Sequence, residues 1–232
     1  MNAYPTPCAT AQTSALPSPW EKAPVDEANN HGKVFINNVL HTFSKQQHMD
    51  TNRLSKKLEQ ALNDQMTKEA HAAQIYLSYA AWADSQGYKG IANFLFRHAH
   101  EERNHMMKFL EYIMERGGRV RVTAIPAPPS DPSGVNNCFE KVFQHEVDNT
   151  NAIYNITNIA HEERDWATFN FMQWFVKEQL EEETLAMDLM DKIKIAGGEH
   201  AKSDALYALD KDLLTTPDDA PTAEKATEDK PL

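Results

Sequence analysis

The sequence predicts an all-α fold: a four-helix bundle with one long crossover connection and a short fifth helix toward the C-terminus. Three observations carry that prediction. Apolar residues recur at spacings of three and four over four long stretches, and segments bearing glycine and proline punctuate them. One of those segments, between the second and third stretches, is long enough to run beside a whole helix.

The first stretch runs from about Thr51 to Ser85 and puts Leu54, Leu58, Leu62, Met66, Glu69, Ala73, Tyr76 and Ala80 on one stripe. "SQGYKG" ends it. The second runs from about Ile91 to Glu115, with Ile91, Leu95, His98, Glu102, His105, Phe109 and Tyr112 in line, and Gly117 and Gly118 stop it. The third, about Val135 to His161, turns Phe139, Val142, Glu146, Ile153, Ile156 and Ala160 inward. The fourth, about Trp166 to Ile195, does the same with Phe171, Phe175, Glu178, Glu182, Leu185 and Leu189 before Gly197 and Gly198 close it. A fifth helix is predicted at "SDALYALDKDLL", opened by Ser203 as a cap.

Connection lengths set the topology. Short joints make helices one and two, and helices three and four, antiparallel neighbours. Between the second and third lies "RGGRVRVTAIPAPPSDPSG", in which glycine and proline forbid helix. Extended, it reaches roughly 50 to 60 Å, whereas a helix of about 28 residues is roughly 42 Å long, so helices two and three can run parallel.

At 232 residues, with 41% hydrophobic and 25% charged, the chain can bury one sizeable core or two small ones. No run approaches the roughly 18 consecutive apolar residues of a membrane span, and no basic segment leads into an apolar one at the N-terminus. A cytoplasmic protein is expected. Cys8 and Cys138 form neither a disulfide framework nor a CxxC metal site. The net charge of -11 disfavours nucleic acid and attracts cations, although much of the acidity lies in the tail.

Residues 1–50 are rich in Pro, Ala, Ser, Thr and Asn and hold one apolar patch, "VFINNVLHTF", without sustained periodicity. They are expected to be a disordered extension before a domain at 51–214, and 215–232 a disordered acidic tail. Met49 stands just before the first helix, so an upstream start assigned in error is a further expectation, which the intact mass of the native protein decides.

Each of the four stripes carries ionisable residues where Leu or Ile would serve: Glu69, then Glu102 with His105, then Glu146, then Glu178 and Glu182. Glu102 and His105 stand three apart and share a helix face. Acidic groups at one depth of a shared core repel and resist desolvation unless they hold protons or cations. Bound metal resolves the conflict. Carboxylate oxygens with an imidazole and no thiolate suit iron or manganese and leave zinc open. Glu102 and Glu182 are placed to bridge two ions.

With these residues in view, the chain resembles the ferritins, of the non-haem bacterial type. The resemblance covers about Thr51 to Leu214 and rests on "LNDQMTKEAH", "FRHAHEERNHMMKFLEYI", "FQHEV", "TFNFMQWFVKEQLEEE" and "ALYALDKDLL". Ferritin-like di-iron bundles are a known setting for inward Glu and Glu-x-x-His ligands. By position, the resemblance implies one iron site from Glu69, Glu102 and His105, and a second from Glu102, Glu146 and Glu182 with Gln179 beside it. It implies a third from Glu101, Glu178, Glu181 and Glu182. Tyr76 matches a tyrosine next to the iron pair and Trp174 a nearby tryptophan; either supplies an electron or simply packs.

Several departures matter. Bacterioferritins and rubrerythrins carry a second Glu-x-x-His on the last bundle helix, which "EQLEEE" lacks. The haem methionine of bacterioferritins falls at Arg103, so no haem is expected, and the CxxC iron domain of rubrerythrins is absent. Leu180 replaces a histidine of some relatives. His98 is expected to be a hydrogen-bonded core residue rather than a ligand, and His71, His100 and His145 to lie at the surface or an interface. "HEERD" at 161–165 lines an ion entry or is a solvated helix connection. Met106 and Met107 are expected to pack.

The resemblance implies an iron-storage ferroxidase that oxidises Fe(II) with O2 or H2O2 and holds Fe(III) mineral in a cage of 24 copies. The short fifth helix is where such cages make fourfold contacts. A non-storing di-iron oxidase or peroxidase is the alternative, and a bundle that has lost its metal a third reading.

Overall fold

The Ser55 hydroxyl accepts a hydrogen bond from the Leu58 N–H at 3.0 Å, so the first helix, α1 (Lys56–Ser85), opens at that cap. This corrects the expected start at Thr51. The Asn52 side chain accepts from the Leu54 N–H at 2.9 Å, a local bond that competes with helix geometry. The computed structural model describes residues 49–215. The expectations for the N-terminal extension, the start site and the acidic tail lie outside the described residues. The chain divides into units Met1–Met49 and Asp50–Leu232, and the account below concerns the second.

After α1 come α2 (Lys89–Glu115), α3 (Val135–Glu162), α4 (Trp166–Ala196), a 3-10 turn (Gly198–His200) and α5 (Ser203–Thr215). The fold is all-α, as the spacing predicts. Gln65 meets Asn149 and, farther along α1, Tyr76 meets Glu146, so α3 runs against α1 and parallel to α2. Tyr112 meets Thr168 and His98 faces Glu182, which sets α4 against α2.

Polar residues on α1 guide the crossover. Asn63 accepts from the Arg121 N–H at 2.7 Å and donates to the Arg119 carbonyl at 3.1 Å, and the Glu59 carboxylate accepts from the Arg119 N–H at 3.1 Å. One turn on, the hydroxyls of Thr67 and Thr123 lie 3.3 Å apart. The connection therefore advances with α1. At its start, Gly117 has φ +70° and abuts the Thr51 carbonyl, where a Cβ would collide. Arg116 clamps both Asp165 oxygens at 3.0 Å, and Asp165 in turn caps α4 by accepting from the Thr168 N–H at 3.1 Å.

The core falls into two apolar clusters. One holds Tyr79, Ile91, Leu95, Phe139, Leu189 and Ile193 with neighbours from the other helices, and α5 adds Leu209 and Leu213. The second gathers Leu58, Leu62, Phe109, Ile153, Met172 and Phe175 at the opposite end. Most predicted inward residues are buried, but α4 is rotated by about one position. Phe171, Glu178 and Leu185 are half-buried, while Met172, Phe175, Gln179, Glu182, Ala186 and Leu189 face the core.

α5 docks by supplying a cap. Tyr88 precedes α2 without a side-chain cap bond, and the Asp210 carboxylate accepts from the Ile91 N–H at 2.9 Å instead. Gly90 permits the approach, since a Cβ there would overlap the Asp210 carbonyl.

Candidate metal centre

Between the two apolar clusters the helices turn ionisable side chains toward one another. Glu69 from α1, Glu102 and His105 from α2, Glu146 from α3 and Glu182 from α4 are all buried. Among the described residues, three groups of donors lie with their ligand atoms within 4.8 Å of one another. They are Glu69, Glu102 and His105; His98, Glu101 and Glu182; and Glu101, His105 and Glu178.

The first group coincides with the first predicted iron site. His105 Nδ1 is 3.8 Å from Glu102 Oε2, and its Nε2 is 3.9 Å from Glu178 Oε1, so one imidazole stands between two groups. Glu146 belongs to none of the three. Its Oε1 accepts from the Tyr76 hydroxyl at 2.6 Å, and its Oε2 accepts from Gln179 Nε2 at 3.3 Å. Glu182 sits beside His98, whose Nδ1 is 3.5 Å from Glu182 Oε2 and 3.4 Å from Glu101 Oε2. His98 is thus a core residue that touches two of the predicted ligands. Glu181 is exposed and pairs with Lys177 at 2.9 Å, so it stands apart from Glu101, Glu178 and Glu182.

A buried polar frame positions these groups. Gln65 Nε2 donates to Glu69 Oε1 at 2.7 Å and to Asn149 Oδ1 at 2.6 Å, and Asn149 Nδ2 donates to Gln179 Oε1 at 3.2 Å. Sequence reasoning missed Gln65 and Asn149. The available signal was Gln65 one turn before Glu69, and Asn149 one turn after Glu146, each an amide on a face otherwise apolar. Thr150 donates to Glu183 at 2.5 Å, which draws that carboxylate toward α3.

Burial holds the Glu102 carboxyl well above the usual range, and the charges of Glu69, Glu146 and Glu182 push the same way. Burial and then the Glu182 charge raise Glu146 to about 8, against the hydrogen bonds from Tyr76 and Gln179. Glu178 is pushed up to about 7 by burial and by Glu182 and Glu181. His105 is lowered by burial, which favours the neutral imidazole that binds metal. The Tyr76 hydroxyl is raised well above its usual value by burial and the surrounding carboxylates, so it stays protonated.

The donors fit a divalent cation. Glu102 Oε2 is buried and accepts no hydrogen bond, an oxygen set among carboxylates with His105 Nδ1 at 3.8 Å as its nearest imidazole nitrogen. Oxygen donors with one imidazole per group match iron or manganese, and zinc is compatible. The aromatic surround is close: His105 meets Trp174 edge-on at 5.5 Å and Phe175 at 5.9 Å, and Lys108 lies 4.3 Å from the Trp174 ring. At 161–165, His161 packs at 5.9 Å on both Trp166 and Phe169, beside a groove of about 350 Å³. Asp165 there is taken up by Arg116.

Comparison with known proteins agrees with this architecture. Residues 59–196 match the family described as Ferritin-like domain. The chain is 39% identical over 160 residues to a probable bacterial non-heme ferritin-like protein of Haemophilus influenzae, covering 69% of this chain and 95% of that protein. A bacterial non-heme ferritin of Staphylococcus saprophyticus is also 39% identical over 160 residues, with 69% and 94% covered. Among solved structures, the open pore ferritin of Archaeoglobus fulgidus is similar, with a TM-score of 0.67 and 41% identity over 70% of this chain and 98% of that one. A form of the same ferritin engineered to be closed gives a TM-score of 0.67 and 41% identity. A four-helix bundle with carboxylates and imidazoles at its waist, and relatives matched over nearly their whole length, lead to one conclusion: the chain belongs to the ferritin-like family.

Proposed function

We propose that the protein stores iron and is a ferroxidase. The observation that carries this reading is the Glu102 carboxylate, whose Oε2 is buried without a hydrogen bond amid acidic groups from all four bundle helices. Glu69, Glu102 and His105 hold one Fe(II). Glu102, Glu146 and Glu182 hold a second, with Gln179 positioning Glu146. Two ions lose one electron each, and one O2 or H2O2 molecule takes the pair with two protons. Metal displaces the protons that the raised carboxyls otherwise keep. Tyr76 fixes the orientation of Glu146 through its 2.6 Å hydrogen bond and is near enough to give an electron. Glu101, Glu178 and Glu182 are the proposed place of a third ion, which Glu181 would join by leaving Lys177.

Fe(III) then passes into a cage of 24 copies as mineral. The relatives' names as ferritins support storage, and no described helix is long and apolar enough to cross a membrane. The proposed place of action is the cytoplasm. Residues 51–214 are the proposed working domain, with 1–50 and 215–232 as appendages.

The test is to give metal-free protein excess Fe(II) in air and measure iron in the particle after size separation. Many iron atoms per subunit in a large particle are expected. A few per subunit in a small oligomer would replace storage with the di-iron oxidase reading. Glu102→Ala should lose rapid oxidation while keeping its helical signal; a normal initial rate in that variant would refute the site.

A further inference from the structure

α2 carries the pairing of imidazole and carboxylate twice. Glu102 and His105 stand three apart, and so, in reverse order, do His98 and Glu101. Each pair is completed by one glutamate from another helix. Glu69 of α1 joins the first pair, and Glu182 of α4 joins the second. The iron centre proposed above uses the first trio and gives His98 no role.

The second trio has the geometry of a site. His98 Nδ1 is 3.4 Å from Glu101 Oε2 and 3.5 Å from Glu182 Oε2, and the donor atoms of all three residues converge within 4.8 Å. Two ligands bonded to one ion at about 2.1 Å stand about 3.0 Å apart at a right angle and about 3.4 Å apart in a tetrahedron. The pocket is closed, with His98, Glu101 and Glu182 only 2%, 7% and 7% exposed. Phe94, its ring centre 4.2 Å away, and Tyr76, stacked at 5.8 Å, flank the imidazole and fix its plane. Two carboxylates balance one divalent cation, so an ion here leaves no net charge in the core. Glu101 also converges with His105 and Glu178, but Glu178 is half-buried and His105 already serves the first trio.

We propose that His98, Glu101 and Glu182 form a divalent-cation site of their own, with His98 Nδ1 as a ligand. The proposal rests on the iron reading above for the identity of the ion, and on the converging trio for the site itself. It needs neither Glu178 nor Glu181, which separates it from the acidic third place. The neutral ring binds through Nδ1 and keeps its hydrogen on Nε2. One nitrogen with two carboxylates selects Fe(II), Co(II) or Zn(II) over Mg(II) and Ca(II).

The experiment soaks crystals of the full-length metal-free protein in Co(II) alone and reads anomalous scattering at the cobalt edge, with calorimetry of Co(II) in solution under excess Mg(II). A peak about 2.1 Å from His98 Nδ1 is expected, bonded also to Glu101 and Glu182. His98→Leu should lose that peak and bind one Co(II) per subunit fewer, while Glu181→Gln should keep the peak. If His98→Leu fails to fold, the wild-type peak decides alone. Cobalt on Glu101 and Glu178 with none on His98, or a wild-type Co(II) count in His98→Leu, would overturn the site. Glu102→Ala separates the two readings, because Glu102 lies outside the trio. Normal Fe(II) oxidation in that variant sinks the iron centre, whereas loss of the cobalt peak at His98 there would overturn a site of its own.

Discussion

The ends of the bundle and its waist are built on opposite principles. At the ends, Leu58, Leu62, Phe109 and Ile153, or Ile91, Leu95 and Phe139, are wholly buried among apolar neighbours. At the waist, Glu69, Glu102, Glu146, Glu182, His98 and His105 are buried just as deeply. Apolar burial stabilises the folded chain by about 1.5 to 3 kcal/mol per large side chain, whereas each buried carboxyl works against folding until it holds a proton or a cation. The ends hold the helices so that the waist can keep an arrangement it would not adopt alone. The proposed function sits where the fold is least comfortable.

The sharpest way to break this contrast is to attack an end. Phe139→Ala should destabilise the metal-free protein by about 3 to 5 kcal/mol, read from its denaturant midpoint. A loss under about 1 kcal/mol would show that the end is loosely packed. The reverse is expected at the waist: Glu102→Leu should raise metal-free stability by about 1 to 4 kcal/mol while removing the stabilisation that Zn(II) gives the wild type. Destabilisation by that exchange would mean that the carboxylates are already well paired without metal.

Acidity offers a subtler probe. Folded Glu146 and Glu178 keep protons up to about pH 8 and 7, whereas in the unfolded chain they release them near 4.5. Between those limits the folded state binds more protons, so metal-free stability is full below the unfolded value and declines as pH rises toward 7 to 8. Glu146→Gln should flatten that decline, and a midpoint series from pH 5 to 8.5 on both proteins checks it. An equally steep decline in the variant would assign it to other groups. The smallest effect is expected at the apolar end that α5 covers: Asp210→Ala removes the cap on α2 and should lower stability by about 1 kcal/mol, with faster amide exchange at Ile91.

The same contrast explains what could be read from sequence. Helix periodicity and the Gly/Pro segment reveal the bundle and its crossover, because apolar stripes leave strong signals at the ends. On α1 and α3 a single waist glutamate interrupts an otherwise apolar stripe, and on α2 His98, Glu102 and His105 do so at helical spacing. On α4 acidic residues crowd 178 and 181–183, and spacing alone assigns them poorly. Their placement depends on a rotation that puts Gln179 inward, on Lys177 holding Glu181 outside, and on Thr150 holding Glu183. Nor does any local pattern announce Asn149 meeting Gln65, a contact between residues far apart in the chain. Four residues of the predicted first helix, Thr51 to Leu54, precede its cap because Leu54 keeps the stripe's spacing although it lies before Ser55.

The bond from Ile91 to Asp210 spans 119 positions of chain. As a nascent polypeptide emerges from the ribosome, α1 and α2 can pair long before Asp210 appears, and the first turn of α2 frays in the meantime. Translation must pass Asp210 before that turn closes. A chain cut short before Ser203 keeps the frayed turn on display, and a protease that samples open helix ends would find it there. The first turn of α2 thus closes only once the residues of α5 have been made.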